Sequence, residues 1–345
     1  MTAPQSEPGQ RFAHLGGGAR ALHCLVHHAE VRTLTGGVHR TRQRRAPRAS
    51  LVPPGIVVPT MPNPPSSERR QIGDLVRVDG HDVHVRQDGP QDAPAVVLVH
   101  GFSCSMHWFD RVAAELATEH RVIRVDLLGH GCTSAATELD AAAQARAISG
   151  VLQRLGTSAA TAVGHSFGAD VVLAMARRTD QVARVAIIGQ APDYGCSRLP
   201  PITFLPVLPA LATLTHRLTP PWMARISSRV GFAPGHSDDR SDDPQRIALD
   251  RAAMDPRMYR TILADRRARL AALPLDVQVR DLGLPVLAIL GGRDRLYPSA
   301  PTAARYRAAG ARVVVIDDAG HSVNVQRPAE VAELIRDFAA HHPPD

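Results

Sequence analysis

Ala95–His100 reads AVVLVH, a continuous apolar run that ends at a glycine, and strands are also expected over Arg121–Asp126, Ala160–Gly164, Val182–Gly189, Val286–Leu290 and Arg312–Ile316. A strand with one wet face alternates apolar and polar residues; a strand that does not alternate must be covered on both faces, as in a parallel sheet. Between the runs lie segments with helical patterning: Trp108–Ala117, Leu139–Leu155 with Gly156 as its stop, Phe167–Arg178, Thr302–Ala309 and Pro328–Ala340. This alternation predicts an α/β fold, a mostly parallel sheet with helices on both faces. Ahead of it, Leu75–Val78 and Val83–Arg86 flank Asp79-Gly80-His81-Asp82, an expected opening hairpin.

The rhythm breaks between about Asp193 and Pro274. This stretch opens with Pro200, Pro201, Pro206, Pro209, Pro220 and Pro221 and then turns helical, with helices expected near Trp222–Val230 and Pro244–Leu273. About eighty residues is too long for a structureless loop inside a sheet protein. Residues 193–274 are therefore read as a helical cap over the carboxyl edge of the sheet, where open α/β sheets bind ligands. Residues 71–192 and 275–345 form the core.

Charge sets the first seventy residues apart. They hold ten Arg against Glu7, Glu30 and Glu68, which accounts for the whole net charge of +7; residues 71–345 balance thirty Arg against thirty acids. A basic chain raises nucleic acid or anionic membrane as a partner, but here that inference applies to the tail alone, and neither partner is expected for the body. With weak periodicity, a Gly16-Gly17-Gly18 run and seven Pro between 47 and 65, residues 1–70 are expected to be a disordered extension; a true start at Met61 is an alternative. No run approaches the ~18 apolar residues of a membrane span, and the first thirty residues lack a secretory apolar core, so a cytoplasmic location is expected. All forty basic residues are Arg, which excludes a phosphate loop needing G-K-[ST] and any Schiff-base lysine. Cys24, Cys104, Cys132 and Cys196 form no C-x-x-C pair and read as free thiols. The His23-Cys24…His27-His28 cluster lacks a second ligand pair, and no metal site is assigned to it.

Chemistry concentrates at three points. Strand Ala160–Gly164 runs into Gly164-His165-Ser166-Phe167-Gly168 and at once into a helix pattern. This is G-x-S-x-G in a strand–turn–helix setting, the nucleophile elbow, in which a serine is held in a crowded, strained turn over the sheet edge. A serine hydroxyl needs an adjacent base. His321, in the loop after Arg312–Ile316, can reach the elbow; His165 is expected to point away from it, and His100 and His130, beside glycines, read as turn-packing residues. The base needs an orienting carboxylate, and Asp294, right after Val286–Leu290, is preferred to Asp193, which follows Val182–Gly189. An oxyanion hole needs two backbone N–H donors, assigned to Phe167, directly after the serine, and Phe102, in the loop after Ala95–His100.

As a set, VVLVHGF at 96–102, RVIRVDLLGHG at 121–131, VGHSFG at 163–168, LGGRD at 290–294 and GHS at 320–322 resemble the α/β-hydrolase family, in its branch with a helical cap. The loop Gly131-Cys132-Thr133-Ser134 departs slightly from the family's usual G-x-G-x-S. The resemblance implies an eight-stranded sheet, a Ser166–Asp294–His321 triad and no cofactor. Members with an aspartate nucleophile attack alkyl carbon; Ser166 points instead to acyl transfer. The expected function is hydrolysis of a small carboxylic ester or lactone with an apolar acyl or alcohol part, through an acyl-enzyme. Carbon–carbon bond hydrolysis, thioester cleavage and acyl transfer to an alcohol use the same constellation. A low-turnover ligand receptor or scaffold, or nucleic-acid binding through the tail, are the alternatives of another class.

Overall fold

The computed structural model describes residues 73–195, 197, 209–236 and 246–340. The expectations for the tail, for a start at Met61, for the His23–His28 cluster and for Cys24 and Cys196 lie outside the described residues.

The opening hairpin forms from β1 (Asp74–Val78) and β2 (His81–Asp88). Asp79 and Gly80 both have positive φ, 47° and 83°, the backbone that a two-residue turn matched to strand twist requires and that Asp-Gly accepts readily. The other strands are β3 (Ala95–Val99), β4 (Arg121–Val125), β5 (Ala160–His165), β6 (Val182–Ile188), β7 (Val286–Gly291) and β8 (Arg312–Ile316). They form one eight-stranded sheet in the order β1-β2-β4-β3-β5-β6-β7-β8. Only the pairings of β2 with β1 and β4 are antiparallel.

β3 shows why its apolar run does not alternate. Val97 and Val99 enter one core cluster, while Val96 and Leu98 enter another on the opposite face. The first cluster is closed by helices α2 (Ala141–Arg154) and α3 (Phe167–Ala176) through Ile148, Val151, Leu152, Val171 and Leu173. The second is closed by α1 (Asp110–Leu116) through Val112 and Leu116, and by the C-terminal helix Pro328–Ala340 through Val331, Ile335 and Phe338. Each such side chain, fully buried, contributes about 1.5–3 kcal/mol. Asp140 caps α2, its Oδ1 accepting from Ala143 N–H at 2.8 Å. The chain leaves β3 to form β4 on one side and returns to form β5 on the other. The carboxyl end of β3 therefore lies at the point where strand order reverses, the crevice that open α/β sheets use for ligands.

Between β6 and β7 the described residues are helical: α4 (Pro209–Leu218), α5 (Pro221–Ser228), α6 (Arg246–Ala253), α7 (Met258–Arg260), a π-helical turn Thr261–Asp265, α8 (Arg266–Ala272) and α9 (Leu275–Arg280). The expected helix over Pro244–Leu273 is thus broken, and the reason is Pro256. It lacks an N–H and disfavours helical backbone at Asp255, so α6 stops at Ala253 and α7 begins at Met258. The expected helix Trp108–Ala117 also begins differently, as a 3-10 turn Met106–Phe109 leading into α1. The fold ends with α10 (Ser299–Ala308), β8, the one-turn helix α11 (Val323–Gln326) and α12 (Pro328–Ala340).

One buried ion pair ties the inserted helices to the core. Asp170, on α3, accepts from Arg266 Nε and Nη2 at 3.0 and 2.8 Å and also pairs with Arg269. Arg266 Nη1 donates to Tyr194 Oη at 2.7 Å, and Tyr194 in turn donates to the Ile262 carbonyl. The thiol expectation needs one correction: Cys104 is free and buried, but Cys132 is disulfide-bonded. No helix among the described residues is long and apolar enough to cross a membrane.

Candidate active site

Ser166 sits between the last residue of β5 and the first of α3, with φ 52° and ψ −120°. For a residue with a side chain this backbone is costly, and it persists only where the surroundings impose it. The surroundings do so by close approach. A Cβ on Gly164 would lie 2.2 Å from the Gly168 carbonyl oxygen, and one on Gly168 would lie 2.2 Å from the Val99 carbonyl oxygen. The two glycines of G-x-S-x-G are thus required by backbone-on-backbone contact, which lets α3 start directly behind the end of β3. Ser166 itself is anchored by its N–H to the Ile188 carbonyl at 2.9 Å. Gly101 lies against it: a Cβ there would come within 3.0 Å of Ser166 Cβ.

His321 lies in the loop after β8 and is buried. Its Nδ1 is 3.0 Å from Asp294 Oδ2. The other Asp294 oxygen, Oδ1, accepts from the N–H groups of Leu296 and Tyr297 at 2.7 and 3.0 Å, so the turn after β7 fixes the carboxylate with its second oxygen aimed at the imidazole. Asp193 is elsewhere. It pairs with Arg305 at 2.8 Å and accepts from the Gly195 N–H.

His165 turns its ring toward the loop of His321. Its Nε2 is 3.2 Å from the His321 carbonyl oxygen, and the two rings stand 5.2 Å apart. A carbonyl can only accept, so Nε2 carries the proton. Burial, with the neighbouring His321, pulls the His165 pKa down to about 3, and the ring is neutral. The residue before the serine therefore holds the backbone of His321 beside the elbow. The sequence signal was only adjacency within the motif; which way the ring turns depends on a loop 156 residues away. Gly189 belongs to the same arrangement, since a Cβ there would lie 2.3 Å from the His321 carbonyl oxygen.

Phe102 and Phe167 flank the serine from the β3 loop and the head of α3. Among the described residues neither backbone N–H has a hydrogen-bond acceptor. His100 and His130 brace the β3 loop. His100 Nε2 accepts from Leu127 N–H at 3.1 Å, and His130 Nε2 from Ser103 N–H at 3.4 Å. Asp126, at the end of β4, accepts from the Met106 and Cys132 N–H groups and contacts His84 Nδ1 at 2.8 Å. Burial opposes its charge, but the His84 contact, the His100 ring and the Met106 N–H together outweigh it, and the carboxyl stays well below its ordinary range. His84, Asp126 and Cys132 are close enough to share an ion, but Cys132 is disulfide-bonded and Asp126 is committed to the loop, so the cluster reads as a structural hub.

Residues 96–334 match the sequence model of the Alpha/beta hydrolase family. A Magnesium-chelatase 30 kDa subunit of Rhodobacter capsulatus is 26% identical over 287 residues, which span 79% of this chain and 94% of that protein. A Pimeloyl-[acyl-carrier protein] methyl ester esterase of Neisseria meningitidis is 27% identical over 259 residues, 73% of this chain and 95% of the relative. Among solved structures, the esterase EaEST from Exiguobacterium antarcticum superposes with a TM-score of 0.63 at 19% identity, over 78% of this chain and all of that one.

Proposed function

The chain belongs to the alpha/beta hydrolase family and is an enzyme of that fold, and on that premise we propose that it hydrolyses small carboxylic esters or lactones through an acyl-enzyme on Ser166. In this reading residues 193–274 are the cap, and their share of Leu, Ile, Pro, Phe and Met favours a substrate with an apolar acyl or alcohol part. The relative whose name specifies a methyl ester esterase supports the ester class.

The observation that carries the reading is the strained Ser166 with the His321–Asp294 pair held one residue away through His165. Each step follows from what the groups can do. His321 takes the Ser166 proton as Oγ attacks the carbonyl carbon. Asp294, bonded to Nδ1, fixes the tautomer that leaves Nε2 free to accept, and it stabilises the imidazolium. The N–H groups of Phe102 and Phe167 receive the developing oxyanion at the head of α3, where the helix end favours negative charge. His321 then protonates the leaving alcohol, and water attacks the acyl-enzyme with the roles reversed.

A panel of p-nitrophenyl esters and lactones of graded chain length, turned over by the full chain, tests this. Turnover is expected to fall at least a thousandfold in Ser166→Ala with the fold intact. Substantial residual turnover in that variant would contradict the assignment.

A further inference from the structure

Trp108 occupies a position that the reaction scheme leaves unexplained. It lies in the 3-10 turn that ends the loop after β3, the loop that carries the Phe102 N–H. Its indole Nε1 donates to Asp250 Oδ2 at 2.7 Å. Asp250 is on α6, in the helical insertion, and is fully buried. The Trp108 carbonyl accepts from Asn324 Nδ2 at 2.8 Å, three residues beyond His321. The indole lies nearly parallel to the His165 ring, at 6.4 Å and 12°, and to Phe232 of the insertion, at 6.1 Å and 16°. One residue thus links three parts: its indole faces the insertion and the residue before the serine, and its backbone carbonyl is bonded by the segment after the base.

A buried carboxyl carries a large desolvation cost unless something compensates it. Burial raises the Asp250 pKa to about 7, against the pull of Arg246 and of the Trp108 N–H, and with Asp126 adding to the rise. An apolar residue at this place on α6 would avoid that cost, so the carboxyl has to be explained by what it holds.

We propose that Asp250 is a positioning residue: from the cap it holds the Trp108 indole, and through Trp108 it sets both the loop bearing the Phe102 N–H and the His165 ring that supports His321. The proposal rests on the triad reading given above. The loop is fixed from below, where Met106 N–H donates to Asp126 at 2.8 Å and Ser103 N–H to His130 at 3.4 Å. Asp250 supplies the constraint from above. Because the Phe102 N–H acts on charge that develops in the transition state, loss of the constraint lowers kcat more than it raises KM.

The test uses the full chain with three variants: Asp250→Ala, Trp108→Phe and Asp250→Asn, which keeps a carbonyl acceptor. Turnover of a p-nitrophenyl ester is normalised to the serine titrated by a fluorophosphonate, so that misfolded enzyme does not count. Asp250→Ala and Trp108→Phe are expected to lose ten- to a hundredfold in kcat per titrated serine, with KM within threefold. Asp250→Asn is expected within threefold of the parent in both. Unchanged kcat per titrated serine in Asp250→Ala would overturn the proposal, as would an Asp250→Asn as impaired as the alanine variant. A second readout is independent of turnover. The chain has two tryptophans, and Trp222 is exposed, so the slowly exchanging indole N–H resonance in the NMR spectrum is assigned to Trp108. It is expected to persist in Asp250→Asn and to exchange rapidly in Asp250→Ala; rapid exchange in the parent would overturn the proposal. Should the parent turn over no ester and take no fluorophosphonate, the hydrolase reading falls, and the indole resonance alone decides the Asp250–Trp108 link.

Discussion

A serine at φ 52° is strained where a glycine would not be, and the strain is held by contacts that tolerate no added atom. Gly168 tests this directly. A methyl group there would meet the Val99 carbonyl oxygen at 2.2 Å, with only backbone to yield, so Gly168→Ala is expected to lower the melting temperature and to lose serine titration by a fluorophosphonate. A variant that keeps the parent's melting temperature and titration would show that the elbow has more room than the geometry allows. The acid admits a sharper comparison. Asp294→Asn should cost ~10⁴ in kcat, because the amide can hold the imidazole in the wrong tautomer, whereas Asp193→Asn, whose carboxylate pairs with Arg305, should change kcat less than tenfold. Steady-state kinetics on the two variants decides it, and the reverse ranking would move the acid role to Asp193.

Elements explain which residues were legible in the sequence. Ser166 is marked by G-x-S-x-G, and Asp294 and His321 by their place just past a strand; the carboxyl ends of parallel strands share one rim of the sheet. His165, Trp108 and Asp250 have no such marker. Their contacts arise where the β3 loop, the insertion and the β8 loop meet, at sequence separations of 142 and 156 residues, and no local pattern encodes such a meeting. The broken helix near Pro256 is different. Pro256 stands in the sequence inside the helical pattern and by itself marks the break. The insertion is fastened to α3 by Asp170 with Arg266 and Arg269. Burial opposes the Arg266 charge, but Asp170, with Tyr194 and Tyr297, more than offsets it and raises the guanidinium pKa. Removing one partner of a buried pair typically costs about 3–5 kcal/mol, so Arg266→Met is expected to lower the stability measured by urea denaturation by that order. A loss under 1 kcal/mol would mean that the pair does not fasten the insertion.

For the whole molecule, the buried Asp250 couples stability to pH. Its folded pKa, about 7, lies above the ordinary 3.8, so the folded state holds a proton that the unfolded state has released. Stability from this group is therefore full below about pH 4 and is lost as pH rises toward 7. Asp250→Asn removes that loss. The variant is expected to gain stability over the parent across this window and to keep the advantage above pH 7, measured by thermal unfolding from pH 4 to 9; an unchanged difference across the window would contradict it.

The central claim is that a carbonyl substrate becomes covalently attached to Ser166. Mass spectrometry of the full chain, acid-quenched during turnover of a p-nitrophenyl ester, tests it most directly, with Asp294→Asn run in parallel. The account predicts one acyl group per chain, on the peptide containing Ser166, and none in Ser166→Ala. Steady turnover with the acyl group on another residue, or with turnover undiminished in Ser166→Ala, would contradict it.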